Sequence, residues 1–170
     1  MKIFISGNPR SGKTSLVKKL IQEFGIENFY GFYTEEIKKD NKRVGFKIVT
    51  TWGDEKILAS VDIKTNYRVG KYYVIKENID HVSEYFLKNI DKKKIIIVDE
   101  IGRMEFYSEK FKELVNFILK EDLNLIAVIH RNYLHLVPNY IWLEIGEWWD
   151  VYKKIKNALE KYISYGKSMG

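Results

Sequence analysis

Residues 1–16 of the chain, MKIFISGNPRSGKTSL, decide its fold because they join an apolar segment to a glycine-rich loop. The loop from Gly7 to Thr14 fits the pattern G-x-x-x-x-G-K-S/T at every position. Glycine at both ends lets the backbone wrap closely, so that successive N–H groups point inward at a phosphate. In such a loop Lys13 reaches the β- and γ-phosphates of a nucleotide, and the Thr14 hydroxyl ligates Mg²⁺. The pattern therefore predicts a site for a nucleoside phosphate.

The segments on both sides of the loop favour this interpretation over a plain glycine-rich turn. Met1–Ile5 is apolar and predicts a strand, and the residues after the loop predict a helix that ends near Phe24 and Gly25. Apolar residues recur at helical spacing along that helix: Leu16, Val17, Leu20, Ile21 and Phe24. The positive end of its dipole would face the bound anion.

The composition of the chain sets limits on its class. Its 170 residues favour one domain, residues 1–170, with a sizeable core. We see no apolar run long enough to span a membrane and no apolar signal-peptide core, because polar residues begin at Ser6. Cysteine is absent, which excludes a disulfide framework and a thiolate metal site. We therefore expect a soluble, cytoplasmic protein with no membrane partner.

The net charge of +6 raises the question of nucleic acid, but lysine supplies most of the cations. Such a composition is typical of a genome-wide compositional bias or of a thermophile's Lys/Glu surface, so nucleic-acid binding is the less favoured interpretation. Arginine is scarce, and three of the five arginines lie in or just after the motif loops. The full set is Arg10, Arg43, Arg68, Arg103 and Arg131. Because its planar fork suits phosphate oxygens, this placement indicates a role beyond solubility, with ion pairing to a carboxylate as the alternative.

The rest of the chain alternates predicted strands with predicted helices. Strands are predicted at Phe29–Glu36, Val44–Val49, Ile57–Val61, Lys71–Ile75, Ile95–Val98, Leu125–Ile129 and Tyr140–Ile145. Helices are predicted at Ile79–Ile90, Ser108–Lys120 and Trp148–Tyr165, followed by a frayed tail, Gly166–Gly170. This order predicts an α/β fold with a mostly parallel central sheet flanked by helices. The first two of these strands, joined by a polar turn, form an antiparallel hairpin added at one edge.

A second motif follows the β-branched run Ile95–Val98, where a buried strand leads into two carboxylates. Asp99 would hold Mg²⁺ through a water molecule. Glu100, just past the strand end, would orient and deprotonate a water that attacks the γ-phosphate. Residues 99–102 also fit the D-x-x-G pattern of regulatory GTPases. The chain lacks the N-K-x-D motif that reads guanine, because Asn41-Lys42 is followed by Arg43-Val44, which disfavours a dedicated GTP switch.

The strand Leu125–Ile129 ends in two further polar residues, His130 and Arg131. In P-loop folds with a glutamate base, this strand lies between the P-loop strand and the strand that carries the acidic pair. Its carboxyl end then faces the γ-phosphate, so either residue could sense the phosphate or stabilise transition-state charge. A solvated loop pair is the alternative. We interpret Trp148-Trp149, at the start of the last helix, as packing residues rather than a base-stacking surface.

Together these strings resemble the THEP1 family of small nucleoside triphosphatases. The resemblance rests on the P-loop and on four further segments in order: Gly31–Glu36, Arg43–Val49, Val69–Tyr72 and Val98–Glu105. It implies a RecA-like P-loop fold and slow Mg²⁺-dependent hydrolysis of several nucleoside triphosphates, among them ATP, GTP, CTP and UTP. One departure is that the family's Asn-Arg-Asp segment after the last strand is replaced here by Gly146–Asp150, which puts nucleobase preference in doubt.

The motifs and the resemblance give a defined set of site residues. The expected nucleotide-contacting residues are Gly7, Asn8, Pro9, Arg10, Ser11, Gly12, Lys13, Thr14, Val98, Asp99, Glu100, Ile101, Gly102, Arg103 and Met104. Within this set we expect Thr14 and Asp99 to hold Mg²⁺, and Lys13, Glu100 and Arg103 to act in catalysis, with Arg103 offsetting charge on the phosphoryl group.

Two other classes of function fit the same P-loop. A nucleotide or nucleic-acid kinase would use a hydroxyl acceptor in place of water, but such enzymes need several arginines for a second phosphate group, and only Arg43 and Arg68 are spare. A nucleotide-responsive binding module would bind triphosphate tightly without hydrolysis that depends on Glu100. Phosphorylation of an added nucleoside or 5′-hydroxyl separates the kinase from the triphosphatase. The sequence indicates no oligomeric state.

Overall fold

The computed structural model describes the backbone of residues 1–169 and the side chains of residues 1–163. Its strands are β1 (Lys2–Ser6), β2 (Phe29–Lys39), β3 (Lys42–Thr50), β4 (Glu55–Ser60), β5 (Arg68–Val69), β6 (Tyr72–Val74), β7 (Ile95–Ile101), β8 (Leu125–Ile129) and β9 (Ile141–Trp142). Its α-helices are α1 (Lys13–Phe24), α2 (Lys76–Asn89), α3 (Glu109–Lys120) and α4 (Trp148–Met169). The strands form one sheet with the order β5-β6-β4-β3-β2-β7-β8-β1-β9.

The half of the sheet that contains the P-loop strand is parallel. In this half β2, β7, β8, β1 and β9 are successive parallel neighbours. The strand β8 lies between β7 and β1, which is the order that the sequence predicts for a glutamate-type P-loop protein. Its five residues are all buried, because helices cover both faces of the sheet at this point. The α/β prediction with a parallel centre is confirmed.

The other half of the sheet is antiparallel and larger than the single hairpin that the sequence predicts. Strand β2 pairs with β7 through Phe29–Phe32 and then with β3 through Phe32–Lys39, so one long strand belongs to both halves. Beyond β3 the sheet continues through β4, β6 and β5. We call the four strands β3, β4, β5 and β6 the extension. Gly31 permits the crossing, because a Cβ atom at this position would collide with the carbonyl oxygen of Ile97.

Two apolar cores lie on opposite faces of the sheet. One joins α1 and α4 to the parallel strands, and Leu16, Val17 and Leu20 of α1 are fully buried in it. Burying each such side chain contributes about 2 kcal/mol, and this fixes the helix that follows the P-loop. The other core packs α2 and α3 against the sheet. Within the described residues, no helix is both long and apolar enough to cross a membrane.

Most element boundaries differ from the sequence predictions by a few residues, and three of the differences concern strands β7 and β9 and helix α4. Strand β7 extends to Ile101, so Glu100 lies within the strand and not past its end. Strand β9 is confined to Ile141–Trp142, shorter than the predicted Tyr140–Ile145. Helix α4 continues beyond Tyr165 to Met169. Of the tail expected to fray, Gly170 lies outside the described residues.

Candidate nucleotide-binding site

The loop between β1 and α1 has the backbone shape of an anion cradle. Gly12 precedes the helix with a φ of +91°, a conformation that favours glycine, and Arg10 has a φ of +67°. Gly12 carries no side chain that could cap the helix, so the first N–H groups of α1 are left to a ligand or to water. A helix start of this kind binds phosphate, because its N–H groups and its dipole both favour an anion.

Lys13 lies against the loop that precedes it. Its Nζ donates hydrogen bonds to the carbonyl oxygens of Gly7, at 2.8 Å, and Asn8, at 3.1 Å. Burial lowers the pKa of Lys13, while the nearby Glu100 and Asp99 oppose that shift. The ammonium is therefore held between the loop and the acidic pair, where it can attract the terminal phosphates of a nucleotide.

Asp99 is the deepest polar group of the site, with a side chain that is 1% exposed. Burial and the neighbouring Glu100 raise its pKa to about 8, and the nearby Thr14 hydroxyl works in the opposite direction. Neither carboxylate oxygen has a hydrogen-bonding partner of suitable geometry among the described residues. A buried carboxylate without a partner is costly, and a divalent cation would satisfy it together with the Thr14 hydroxyl.

This oxygen-donor pair suits a hard divalent cation. No group of three or more His, Cys, Asp or Glu side chains in the described part of the chain is placed to hold a metal ion. Mg²⁺ is usually held by one or two protein ligands together with water and substrate phosphates, rather than by a complete protein cage. The residues present therefore fit a divalent cation whose other ligands are water and phosphate oxygens.

Glu100 and Glu105 lie around the same glycine. A Cβ atom at Gly102 would be 2.7 Å from Oε1 of Glu100 and 3.0 Å from Oε2 of Glu105, so the missing side chain leaves room for both carboxyl groups. Burial raises the pKa of Glu100, and the positive charge of Lys13 opposes the shift. Burial and the charge of Glu100 raise the pKa of Glu105 well above its usual range. The end of β7 thus gathers three carboxyl groups within a small volume.

One cleft, with a volume of about 960 Å³, joins the P-loop to this acidic cluster. It is lined by nine of the residues expected from the sequence: Pro9, Arg10, Ser11, Gly12, Lys13, Thr14, Glu100, Arg103 and Met104. Asp99 and Gly102 lie beneath this lining, and the side chains of Val98 and Ile101 are buried in the apolar core. Gly7 and Asn8 lie at the base of the loop, where their carbonyl groups hold Lys13.

Several cleft residues were not assigned a role from the sequence. The sequence predicts no function for Glu105, and its burial next to Glu100 is the feature that singles it out. Strand β2 supplies Thr34, Glu35 and Glu36, and the extension supplies Arg43, Phe46, Leu58 and Val69. Local sequence signals place these residues on strands, but the cleft that they share depends on how the strands pair.

The residues after β8 reach the site as the strand order predicts. His130 lines the cleft, and burial together with nearby cations lowers its pKa. Arg131 donates a hydrogen bond from Nη1 to Oδ1 of Asn8 in the P-loop, at 2.9 Å. On the other side of the loop, Trp148 donates from Nε1 to the carbonyl oxygen of Gly12, at 2.9 Å. Trp148 therefore packs on the P-loop, which agrees with a packing role, and Trp149 remains exposed.

The strand order, the glycine-rich loop and the acidic strand end define a P-loop protein of the α/β class. A family model described as NTPase matches residues 2–164. The nucleoside-triphosphatase THEP1 of Thermotoga sp. (strain RQ2) is 45% identical over 133 residues, which cover 78% of this chain and 75% of the relative. The nucleoside-triphosphatase THEP1 of Methanocaldococcus jannaschii is 42% identical over 139 residues, 79% of this chain and 81% of that relative.

Solved structures agree with these relatives. The crystal structure of THEP1 from Aquifex aeolicus superposes with a TM-score of 0.80 at 34% identity, over 94% of this chain and 99% of that one. The solution structure of a human cancer-related nucleoside triphosphatase gives a TM-score of 0.64 at 28% identity, over 89% of this chain and 84% of that one. The chain belongs to the THEP1 family of nucleoside-triphosphatases.

Proposed function

We propose that this chain, as one domain, hydrolyses nucleoside triphosphates to diphosphate and phosphate in a Mg²⁺-dependent reaction in which Glu100 is the general base. Membership of the THEP1 family makes the chain a nucleoside-triphosphatase. The metal, the base and the range of substrates are the further parts of the proposal. The observation that carries them is the cleft in which the P-loop lysine meets a buried, unpartnered Asp99 and an adjacent Glu100.

Phosphate binding falls to the P-loop. Residues at the start of α1 line the cleft, and their N–H groups together with the ammonium of Lys13 bind the β- and γ-phosphates. To do so Lys13 exchanges its hydrogen bonds with the carbonyl oxygens of Gly7 and Asn8 for phosphate oxygens. Arg103, at the cleft wall, stabilises the negative charge that develops on the transferred phosphoryl group.

Thr14 and Asp99 are the residues that hold Mg²⁺, Thr14 through its hydroxyl and Asp99 through its carboxylate or a water bound to it. When bound, the ion neutralises charge on the β- and γ-phosphates. Asp99 must be ionised for this role, whereas burial favours its neutral form in the protein alone. Nucleotide and metal are therefore expected to displace a proton from this carboxyl group as they bind.

Glu100 accepts the proton of the attacking water. The water oxygen forms a bond to the γ-phosphorus as the bond to the β,γ-bridging oxygen breaks, and the diphosphate leaves with that electron pair. The proton on Glu100 then passes to the phosphate product, which restores the base. Lys13 supports this assignment because its positive charge favours the ionised form of Glu100.

The substrates proposed are ATP, GTP, CTP and UTP. The P-loop and the acidic cluster recognise phosphates and not bases, so they do not discriminate among the four. The family's Asn-Arg-Asp segment is absent, and its place is taken by residues 146–150, where Trp148 packs on Gly12. A packed indole offers no donor and acceptor pattern for one particular base, which supports a broad range.

A kinase remains the second candidate, because the cleft is lined by more than the P-loop and the acidic cluster. Strand β2 and the extension form a further wall, with Thr34, Arg43 and Phe46 among the lining residues. This wall leaves room for a hydroxyl-bearing acceptor next to the γ-phosphate. Transfer of labelled γ-phosphate to an added nucleoside or 5′-hydroxyl would establish the kinase, whereas transfer to water alone supports the triphosphatase.

Phosphate release from the four triphosphates tests the proposal. The wild type is expected to release phosphate from each with Mg²⁺ and to stop when the metal is chelated. Glu100→Gln is expected to bind Mg·ATP normally and to lose about a hundredfold or more in turnover. Glu36→Gln, on the opposite wall of the cleft, is the matched control and keeps its activity. Full activity of Glu100→Gln would move the base elsewhere.

A further inference from the structure

The indole of Trp148, in the first turn of the last helix, packs on the P-loop. Its Nε1–H donates a hydrogen bond to the carbonyl oxygen of Gly12 at 2.9 Å, although the two residues are 136 positions apart in the chain. A Cβ atom at Gly12 would lie 2.8 Å from both Cδ1 and Nε1 of the indole, so the ring lies directly against the backbone of the loop. The proposed mechanism does not use this contact.

Trp148 is held in this position by its own helix. Its ring lies parallel to that of Tyr152, one turn further along α4, with an interplanar angle of 4° and a centroid distance of 5.4 Å. Tyr152 is 3% exposed and belongs to the apolar core that joins α1 and α4 to the sheet. Residues four apart on a helix are neighbours, so this stack sets the direction of the indole. The donor is therefore presented by a well-packed part of the fold.

The carbonyl group that accepts this bond determines the direction of an N–H group in the phosphate cradle. The Gly12 oxygen also accepts from the Leu16 N–H at 3.0 Å and from the Ser15 hydroxyl at 2.9 Å, and both of these donors belong to α1. Because a trans peptide unit is planar, the N–H of Lys13 points in the direction opposite to the Gly12 carbonyl group. This N–H is one of the first donors of α1, which have no partner inside the helix. A contact that fixes the carbonyl group therefore also fixes a donor for the anion.

The junction between the P-loop and α1 benefits from such a contact because it is made by glycine. Gly12 has a φ of +91°, and glycine loses more conformational freedom on ordering than any other residue. A loop that becomes ordered only as the ligand binds lowers the affinity by the cost of that ordering, whereas a loop ordered in advance avoids it. A hydrogen bond that orders Gly12 in the free protein therefore favours phosphate binding.

We propose that Trp148 is a positioning residue for phosphate binding, whose hydrogen bond to the Gly12 carbonyl group keeps the Lys13 N–H directed at the phosphates. The inference rests on the proposed function, in which the P-loop binds the β- and γ-phosphates. Trp148 acts through the backbone of the loop and not by contact with the nucleotide. It lies within residues 146–150, the segment in which this chain departs from the family's Asn-Arg-Asp sequence.

An isosteric replacement separates the hydrogen bond from the packing of the ring. Benzothienylalanine, incorporated at position 148, has the two fused rings of tryptophan but sulfur in place of the N–H donor. Loss of a neutral hydrogen bond corresponds to about a 2- to 10-fold effect, so the Kd for Mg·ADP and the KM for Mg·ATP are both expected to rise by that factor. We expect kcat to stay within about twofold of the wild type, because the cradle holds the phosphates equally in the ground state and the transition state.

The same replacement at Trp142 is the matched control. This indole donates from Nε1 to Oε1 of Glu144 at 2.9 Å, so the control also loses an indole hydrogen bond, but one to a side chain outside the P-loop. Unchanged Kd and KM in the position-148 variant would overturn the inference, and so would an equal rise in the control. A fall in kcat at constant KM would also overturn it. Near-ultraviolet circular dichroism confirms folding, and Trp148→Phe, which also lacks the donor, replaces the isosteric variant if that one does not fold.

A measurement without turnover tests the contact itself. The chain has four tryptophans, and their indole N–H groups give separate signals in a ¹H–¹⁵N correlation spectrum. The Trp148 signal is assigned by its loss in Trp148→Phe. Its proton is expected to exchange with solvent more slowly than that of Trp149, whose ring is 59% exposed, and its signal is expected to shift when Mg·ADP is added. Exchange as fast as that of Trp149, or no shift with Mg·ADP, would overturn the proposal.

The proposed function and the positioning role fail separately. Normal nucleotide binding in Lys13→Ala would remove the P-loop as the phosphate site. Weakened binding in Lys13→Ala, together with wild-type Kd and KM in the benzothienylalanine variant, would remove only the role of Trp148.

Discussion

Two groups of carboxylates lie at the cleft, and they differ in whether they have ion-pair partners. On β2, Glu35 pairs with Lys18 and Lys47 at 2.7 and 3.6 Å, and Glu36 pairs with Arg43 at 3.3 Å. At the end of β7, three carboxyl groups, those of Asp99, Glu100 and Glu105, make no ion pair in the described part of the chain.

This difference supports the proposal that the carboxyl groups at the end of β7 perform the chemistry. The ion pairs of Glu35 lower its pKa, so this carboxylate is ionised and paired in the free protein. Burial raises the pKa of Asp99, Glu100 and Glu105, so these groups are held in a state that a metal, a nucleotide or a water can change. Perturbed groups that converge in a cleft are typical of an active site, whereas exposed pairs contribute little.

The largest effect is expected where the cation facing the β7 cluster is removed. Lys13→Ala takes away the charge that binds the terminal phosphates and opposes the pKa shift of Glu100. We expect triphosphate binding to weaken and turnover to fall by at least about a hundredfold. Titration of a fluorescent nucleotide together with phosphate release measures both. The control is Lys47→Ala, which breaks ion pairs on the other wall; normal turnover in Lys13→Ala would contradict the P-loop assignment.

A smaller effect is expected from moving the acidic cluster without removing it. The Cβ of Gly102→Ala would lie within 3.0 Å of an oxygen of both Glu100 and Glu105, so the two groups must shift. We expect kcat to fall by about tenfold to a hundredfold, because small displacements of reacting groups are costly. Gly146→Ala is the matched control, since its Cβ would meet nothing within 4 Å. Equal rates in the two variants would argue against a geometric requirement at Gly102.

The pH dependence of stability reports the same cluster. Asp99 keeps its proton in the folded protein up to a pKa of about 8. In the unfolded chain the pKa of this group is about 4. Between these values the unfolded state binds fewer protons, so the free energy of unfolding is expected to fall as pH rises from 5 to 8.

Urea unfolding at several pH values, without nucleotide or metal, measures this slope. Asp99→Asn removes the titrating group and is expected to flatten the dependence, because both states are then neutral at this position. A slope that is unchanged in Asp99→Asn would mean that the buried carboxyl group is ionised in the folded protein.

The smallest effect is expected at the ion-paired carboxylates of β2. Glu36→Gln breaks an exposed ion pair with Arg43, and such pairs contribute about 0–1 kcal/mol. We expect the unfolding free energy to change within that range and kcat to stay within about twofold of the wild type. Thermal unfolding and phosphate release measure the two quantities. A loss of turnover comparable with that of Lys13→Ala would show that the wall formed by β2 and β3 takes part in the reaction.

The sequence predicts the parallel half of the molecule well because its signals are local. The apolar strand, the glycine-rich loop and the amphipathic helix follow one another within residues 1–25, and the buried runs of β7 and β8 are equally clear. The extension is harder to predict, since β5 and β6 have only two and three residues and show no measurable periodicity. Strand β9 is shorter than its apolar run because β1 offers it only two paired residues, Ile5 and Ser6, before the P-loop begins.

The candidate site was predictable in its motifs but not in its burial. Lys13, Thr14 and Glu100 are marked by spacing alone, and the structure places them on one cleft. Whether Glu105 lies in solvent or under the site depends on the 3-10 turn that follows β7, which no short pattern specifies. The same holds for Arg43, whose position in the cleft wall requires the pairing of β2 with β3.

The central claim is that Glu100 activates the water that attacks the γ-phosphate. A single-turnover experiment tests it most directly: enzyme in excess is mixed with labelled Mg·ATP, and product formation is followed after rapid quenching. The account predicts that Glu100→Gln binds ATP as the wild type does and forms product about a hundredfold or more slowly. Product formation at the wild-type rate in Glu100→Gln would contradict it.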